Sequence, residues 1–267
     1  MLSHLSVSSL QLHAKNPRRW ALSYIEKIKD PPTEHLVFGS LLHDEVEKML
    51  RGDEWNLNDD DNNEIVKEWR RNLPPIYSLL EWKYEDSFRI FIKSDLPPFV
   101  GRIDMWAHDP ATDTIVVCDH KTCNPRYKET PHSLLQNWQL ILYSYALAPG
   151  EVIGINDTNL YDEVSTIIHH QFMKKAPSQL FASANVKNNL TRKLVYDTIE
   201  DIKKEAYACL QTIAIYQKEG LKGIRETPEN EVWYGKKDML WPCITLEESV
   251  KDCRKRIKRK ADEESNA

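Results

Sequence analysis

Three polar residues stand out against an apolar background in VGRIDMWAHDPATDTIVVCDHKTC, residues 100–123: Asp104, Asp119 and Lys121. Asp119 and Lys121 are two positions apart, so on a strand both side chains leave the same face. Carboxylates at the heart of an apolar hairpin are costly to desolvate unless a cation or a hydrogen-bond network meets them. Hydrolysis of a phosphodiester needs an attacking water, neutralisation of the phosphate charge and stabilisation of the leaving alkoxide, and divalent cations serve all three needs. Asp104 and Asp119 are suited to anchor Mg²⁺, a hard ion that takes oxygen ligands and keeps several waters. The backbone carbonyl of His120 is placed as a further ligand, and Lys121 as the group that holds or helps deprotonate the water. A structural ion-pair network is the other account of the isolated triplet.

Those residues need a scaffold. Phe99, Val100, Ile103, Met105 and Trp106 make one apolar strand, His108–Asp113 a turn, and Ile115–Cys118 a second strand buried on both faces. Glu81–Ile92 alternates as a third strand, bent around Asp86-Ser87. Upstream, Ser8 or Ser9 suits a helix cap, Asn16-Pro17 interrupts, Arg18–Ile28 continues, and Thr33–Arg51 has helical spacing. Ile65–Leu80 reads as a helix broken by Pro74-Pro75, and Asp59-Asp60-Asp61 as a solvated loop without calcium-loop spacing. Downstream, Asn124–His132 is a polar loop and Ser133–Leu147 a helix. Val152–Ile155 and Ser165–Phe172 are strands, Ser178–Asn189 an irregular connection and Thr191–Lys218 a long helix. Thr227–Pro242 is loop-like, Leu246–Lys260 a basic helix, and Ala261–Ala267 a fraying end. An antiparallel meander followed by a helical crossover to another strand is an economical α/β core.

The chain has 267 residues, enough for a sizeable core, with 41% hydrophobic and 29% charged residues and a formal net charge of −5. An acidic total does not exclude nucleic acid, since a metal-binding acidic cluster adds to it. No apolar run approaches a membrane span, and the first residues lack a signal-peptide layout; a cytoplasmic protein without membrane contact is the expectation. Cys118, Cys123, Cys209, Cys243 and Cys253 are scattered without a CxxC pair, as expected of reduced thiols. No P-loop glycine pattern occurs.

Gly101-Arg102-Ile103-Asp104 followed by Ile115–Cys118-Asp119-His120-Lys121-Thr122 resembles the PD-(D/E)XK nuclease superfamily, and more narrowly its RecB-like exonuclease branch. Leu5–Leu10 with Asn16-Pro17-Arg18-Arg19-Trp20 is similar to that branch's opening helix motif. Gly39-Ser40-Leu41-Leu42-His43 resembles its Gly-x-x-x-His helix, and Gln139–Tyr143 its Gln-x-x-x-Tyr helix. The pieces stand in the family's order across Leu5–Leu147.

The resemblance implies an α/β, restriction-endonuclease-like core: a three-strand antiparallel meander, a crossover helix and a further strand, flanked by helices. It implies His43 as a metal ligand beside Asp104 and Asp119, and Gln139 and Tyr143 as lining the substrate, although a hydrogen-bonded core pair accounts for them equally. Arg18 and Arg19 either clamp phosphate or begin an exposed helix, and Glu81 or Glu85 is a candidate extra ligand. Mg²⁺ or Mn²⁺ is the implied cofactor. An iron–sulfur cluster is not expected, because Asn16 stands where relatives carry cysteine and only Cys243 and Cys253 lie near the C-terminus. The implied function is a metal-dependent exonuclease acting at DNA ends in recombination, repair or phage DNA processing, with a single-strand-binding or annealing protein as a partner. A structure- or sequence-directed endonuclease, or a non-cleaving DNA- or protein-binding module, is the alternative. Residues 1–245 are expected to form the nuclease domain, with its core at about 33–175, and 246–267 a basic helix and tail.

Overall fold

A five-stranded sheet carries the hairpin. It is seen in a computed structural model that describes residues 2–29, 34–52, 71, 75–122, 129–147, 164–172, 179–185, 189–225 and 239–265. The strands are β1 (Trp82–Ile90), β2 (Phe99–Asp109), β3 (Thr114–Thr122), β4 (Val164–Phe172) and β5 (Gln179–Asn185), in that spatial order. β1, β2 and β3 pair antiparallel, β3 and β4 parallel, and β4 and β5 antiparallel. This is the expected meander, crossover and further strand. β5 corrects the irregular connection expected over Ser178–Asn189.

On β2, Phe99, Ile103, Met105 and Ala107 alternate into the core. On β3, Val116, Val117 and Cys118 are all buried, because helices cover the sheet there. The chain divides into two compact units. The sheet unit comprises Thr33–Ser94 and Phe99–Glu200. In it, α3 (Glu34–Arg51) packs on β3, and α6 (Trp138–Leu147) packs on β3, β4 and β1. Among the described residues, the short α4 (Ile76–Leu79) and α5 (Pro131–Leu134) are further helices of this unit.

The helix expected over Ser133–Leu147 is two pieces. Thr130 opens α5 with a reciprocal cap to Ser133. Asn137 then opens α6, its Oδ1 accepting from the N–H groups of Gln139 and Leu140 at 3.0 and 3.2 Å. On β1 the irregularity falls at Glu85, whose φ is +57°, one residue before the expected bend.

The other unit comprises Met1–Pro32, Asp95–Pro98 and Asp201–Ala267. It contains α1 (Val7–Lys15), capped by Ser6 rather than by Ser8 or Ser9, and α2 (Pro17–Trp20), capped by Asn16 and running on as a π-helical turn over Ala21–Ile25. The 31-residue α7 (Asn189–Glu219) enters this unit at Asp201, and α8 (Trp241–Ile244) and α9 (Val250–Ser265) follow. α9 continues to Ser265, past the Lys260 end expected of the basic helix. The expected strand at Val152–Ile155, the helix before residue 71, the Asp59–Asp61 loop and most of Thr227–Pro242 lie outside the described residues. No helix among the described residues is long and apolar enough to cross a membrane.

Candidate active site

Register explains how two strands present their carboxylates together. Asp104 on β2 sits just beyond the last described rung with β3, Met105↔Cys118. The backbone N–H of His120 donates to Asp104 Oδ2 at 2.8 Å. That bond ties the β2 carboxylate to the residue between Asp119 and Lys121. Lys121 Nζ lies 3.3 Å from Asp119 Oδ1 and 3.2 Å from Oδ2, the same-face pairing that the spacing dictates. His43 reaches in from α3, with Nδ1 3.8 Å from Asp104 Oδ2.

Burial and charge pull the two carboxylates apart. Asp119 is 1% exposed; burial opposes its charge, but the Lys121 ammonium and the His169 N–H outweigh it and hold the carboxyl below its usual range. Asp104 is pushed well above the usual carboxylate range by burial and by the charge of Asp119. Burial works against the charge of Lys121 as well, yet Asp119 and Asp104 prevail and raise its pKa. His43 is driven down by burial and by Lys121, which keeps its imidazole available as a neutral ligand. His120 is held lower still, at about 3, by burial and by His43.

This donor set fits a hard divalent cation. Two carboxylates and a neutral imidazole converge, and Asp104, raised first by burial and then by the charge of Asp119, is a carboxylate whose charged form a bound cation would favour. The His43 ring also meets the His120 backbone, which brings that residue's main chain to the same spot.

The wall residues pack as one cluster. Gln139 Nε2 donates to Tyr143 Oη one turn along α6. Tyr143 is buried and meets the Phe88 ring edge-on at 5.9 Å. Burial, with the charges of Asp119 and Asp104, raises the Tyr143 pKa, so its phenol stays protonated. Phe88 pairs with Gly101 across β1 and β2, and a Cβ on Gly101 would lie 2.5 Å from that ring. The glycine therefore makes room for the ring that braces Tyr143.

Glu85 faces Asp104 in register, between the pairs Tyr84↔Met105 and Asp86↔Ile103. Its carboxylate pairs with Arg102, while Glu81 is exposed ahead of β1. Arg18 and Arg19 belong to the other unit. Arg18 is buried there, donating from Nε to the Ile224 carbonyl and from Nη1 to the Ile244 carbonyl, both at 3.0 Å. That is a structural use of the side chain and corrects the exposed helix start offered for it.

His169 had no sequence signal. It pairs with Asp119 across the parallel β3–β4 ladder, with Nε2 3.4 Å from Asp119 Oδ2. Its Nδ1 is buried without a hydrogen-bond partner. An N–H at Nε2 points toward that carboxylate. Only the strand register, which sequence does not give, could have found it.

A family model described as the PD-(D/E)XK nuclease superfamily matches residues 4–214. Among the solved structures, the crystal structure of SSO0001 is similar at 14% identity and a TM-score of 0.37, over 75% of this chain and 77% of that one; at that score the likeness carries no argument. No curated protein matches.

Proposed function

This chain belongs to the PD-(D/E)XK nuclease superfamily, and on that premise we propose that it is a Mg²⁺- or Mn²⁺-dependent deoxyribonuclease that digests DNA from its ends. The observation that carries the reading is the convergence of Asp104, Asp119, Lys121 and His43 at one edge of the β2–β3 hairpin. The ordered motifs around it, with Gln139 and Tyr143 on the following helix, favour end-directed cutting. Residues 1–245 are taken as the nuclease domain and 246–267 as an appended basic helix.

Asp104, Asp119, His43 and the His120 carbonyl would hold the cation. When bound, it would polarise the phosphate and lower the pKa of the attacking water. The chain's own residues do the rest. The His120 N–H and the His169 N–H fix the two carboxylates from behind. Lys121 keeps its proton at Nζ and offers N–H donors beside Asp119, where they orient the water and meet the phosphoryl oxygen. Tyr143 Oη, held by Gln139, remains a neutral donor on the wall.

The test uses end-labelled linear DNA, single- and double-stranded, beside a covalently closed circle, with Mg²⁺ or Mn²⁺ titrated. Linear DNA should be degraded and the circle spared. Asp119→Ala and Lys121→Ala should each lower cleavage by at least about 10³-fold with circular dichroism unchanged. Rapid opening of the circle would replace the exonuclease reading with the endonuclease one. Full activity in both variants would remove the site.

A further inference from the structure

A second set of metal-competent side chains lies in the other unit, where α1 meets α7. His13 comes from α1, and Glu205, Cys209 and Thr212 from α7. The spacing of the last three, i, i+4 and i+7, sets them on one helix face. His13 and Cys209 are buried, whereas the Glu205 side chain is 20% exposed. A ring nitrogen of His13, a Glu205 carboxylate oxygen and Cys209 Sγ all lie within 4.8 Å of one another.

The histidine is held from every side. Its Nδ1 hydrogen-bonds to Glu205 Oε1, and its Nε2 lies 2.8 Å from Thr212 Oγ1. The Trp20 ring meets it edge-on at 4.9 Å, and that indole donates to Ser9 Oγ at 2.8 Å. Such an arrangement fixes a ring so that one nitrogen faces a cation while the other bonds to an oxygen behind it, as ligating histidines do.

We propose that His13 Nδ1, the Glu205 carboxylate and Cys209 Sγ form a structural site for a divalent cation of the zinc class, pinning α1 to α7. The donor set is imidazole, carboxylate and thiolate. It suits a borderline-soft ion such as Zn²⁺ and disfavours Mg²⁺. Metal–ligand bonds of about 2.0–2.3 Å let one ion reach all three donors after small side-chain rotations. The solvent-facing side of Glu205 is the route for the ion and for a water in the fourth position. The protons balance. The cation takes the place of the hydrogen bond between Nδ1 and Oε1, and an imidazole bound through Nδ1 keeps its N–H at Nε2, which donates a hydrogen bond to Thr212 Oγ1. Burial and the Glu205 charge favour the protonated Cys209 thiol, and its proton is released as the sulfur binds. This site stands whether or not the nuclease reading does.

The test is a Co²⁺ titration of the full chain after removal of metal with a chelator. Thiolate ligation gives Co²⁺ an intense near-ultraviolet charge-transfer absorption, which a carboxylate and imidazole site such as that of Asp104 and Asp119 cannot produce. The absorption should saturate at one equivalent and be bleached by Zn²⁺. It should persist in Asp119→Ala, vanish in Cys209→Ser, and weaken at least tenfold in Co²⁺ affinity in Glu205→Gln. Absence of the band in the unaltered chain overturns the proposal and leaves a hydrogen-bonded His–Glu pair beside a bystander thiol. A band that survives in folded Cys209→Ser also overturns it. The spectrum of the unaltered chain and the Glu205→Gln variant decide the matter even if Cys209→Ser does not fold.

Discussion

Asp104 and Asp119 are alike chemically and opposite electrostatically, and that difference gives signs to two pH effects. The folded-state pKa of Asp104 is raised, so without metal the folded chain binds a proton that the unfolded chain has lost. Its contribution to stability is full below the unfolded pKa of about 3.9 and is lost as pH rises through the folded value. Asp119 is depressed, so its contribution is present above about 3.9 and is lost as pH falls below it. Asp104→Asn keeps an acceptor for the His120 N–H and folds without having to take up a proton there. In chelator at neutral pH it should therefore be more stable than the parent by about 1–3 kcal/mol, read by urea unfolding, and should gain nothing from added Mg²⁺. A less stable Asp104→Asn chain would mean that the carboxylate is already compensated by the protein.

His169 works on the other carboxylate, that of Asp119, through one hydrogen bond. His169→Ala should raise the Mg²⁺ concentration for half-maximal cleavage by roughly tenfold to a hundredfold, with little change in rate at saturating metal. His169→Gln should recover part of that shift. An equal loss of rate at every metal concentration would point to damaged packing instead. The carboxylates and Lys121 were legible from type and spacing, because strand geometry alone puts positions 119 and 121 on one face. His169 was not, because its role depends on which strand lies beside β3 and in what register.

Among the elements, the hairpin and the crossover follow from patterns with strong periods. β5 does not: QLFASAN mixes small and polar residues with too little alternation to mark a strand. The break at Asn137 hides inside a stretch whose apolar spacing continues across it, and only the capping bonds to Gln139 and Leu140 reveal two helices. The choice of Ser6 over Ser8 or Ser9 as a cap is a similar case. Several serines could cap, and the helix takes the one that lets Val7 and Leu10 reach the core. Contact between β1 and β2 carries a prediction of its own. Gly101→Val should cost about 1–3 kcal/mol by forcing the Phe88 ring aside. Adding Phe88→Ala should cost less in that background than in the parent, a coupling that a double-mutant cycle on thermal unfolding measures.

At the scale of the molecule, both ends of the sequence build one unit. α1 and α2 are completed by residues from the last quarter of the chain. Arg18 donates to the Ile224 and Ile244 carbonyls, Tyr216 bonds to Glu26, and Arg254 Nη2 reaches Glu26 Oε2 at 2.6 Å. Such distant pairing cannot be read from local pattern, which is why Arg18 suited a phosphate clamp in the sequence. Arg18→Ala leaves two carbonyls without their donor. It should destabilise the chain by roughly 2–4 kcal/mol while leaving the KM for DNA unchanged at temperatures where the variant stays folded. A raised KM in a folded Arg18→Ala chain would restore the phosphate role. The basic helix α9 is partly spent as well: Arg256 pairs with Glu248, Lys255 with Asp252, and Arg259 with Glu263. Its positive run in sequence overstates what it offers a phosphate backbone.

The Phe88–Gly101 contact also bears on how relatives of this chain can diverge. A ring lying where a β-carbon would be makes the two positions one steric unit. A lineage in which position 101 gains a side chain survives best if position 88 has already shrunk, and the order of those steps matters. The pair should therefore co-vary in an alignment of related sequences, with a bulky residue at both positions the missing combination.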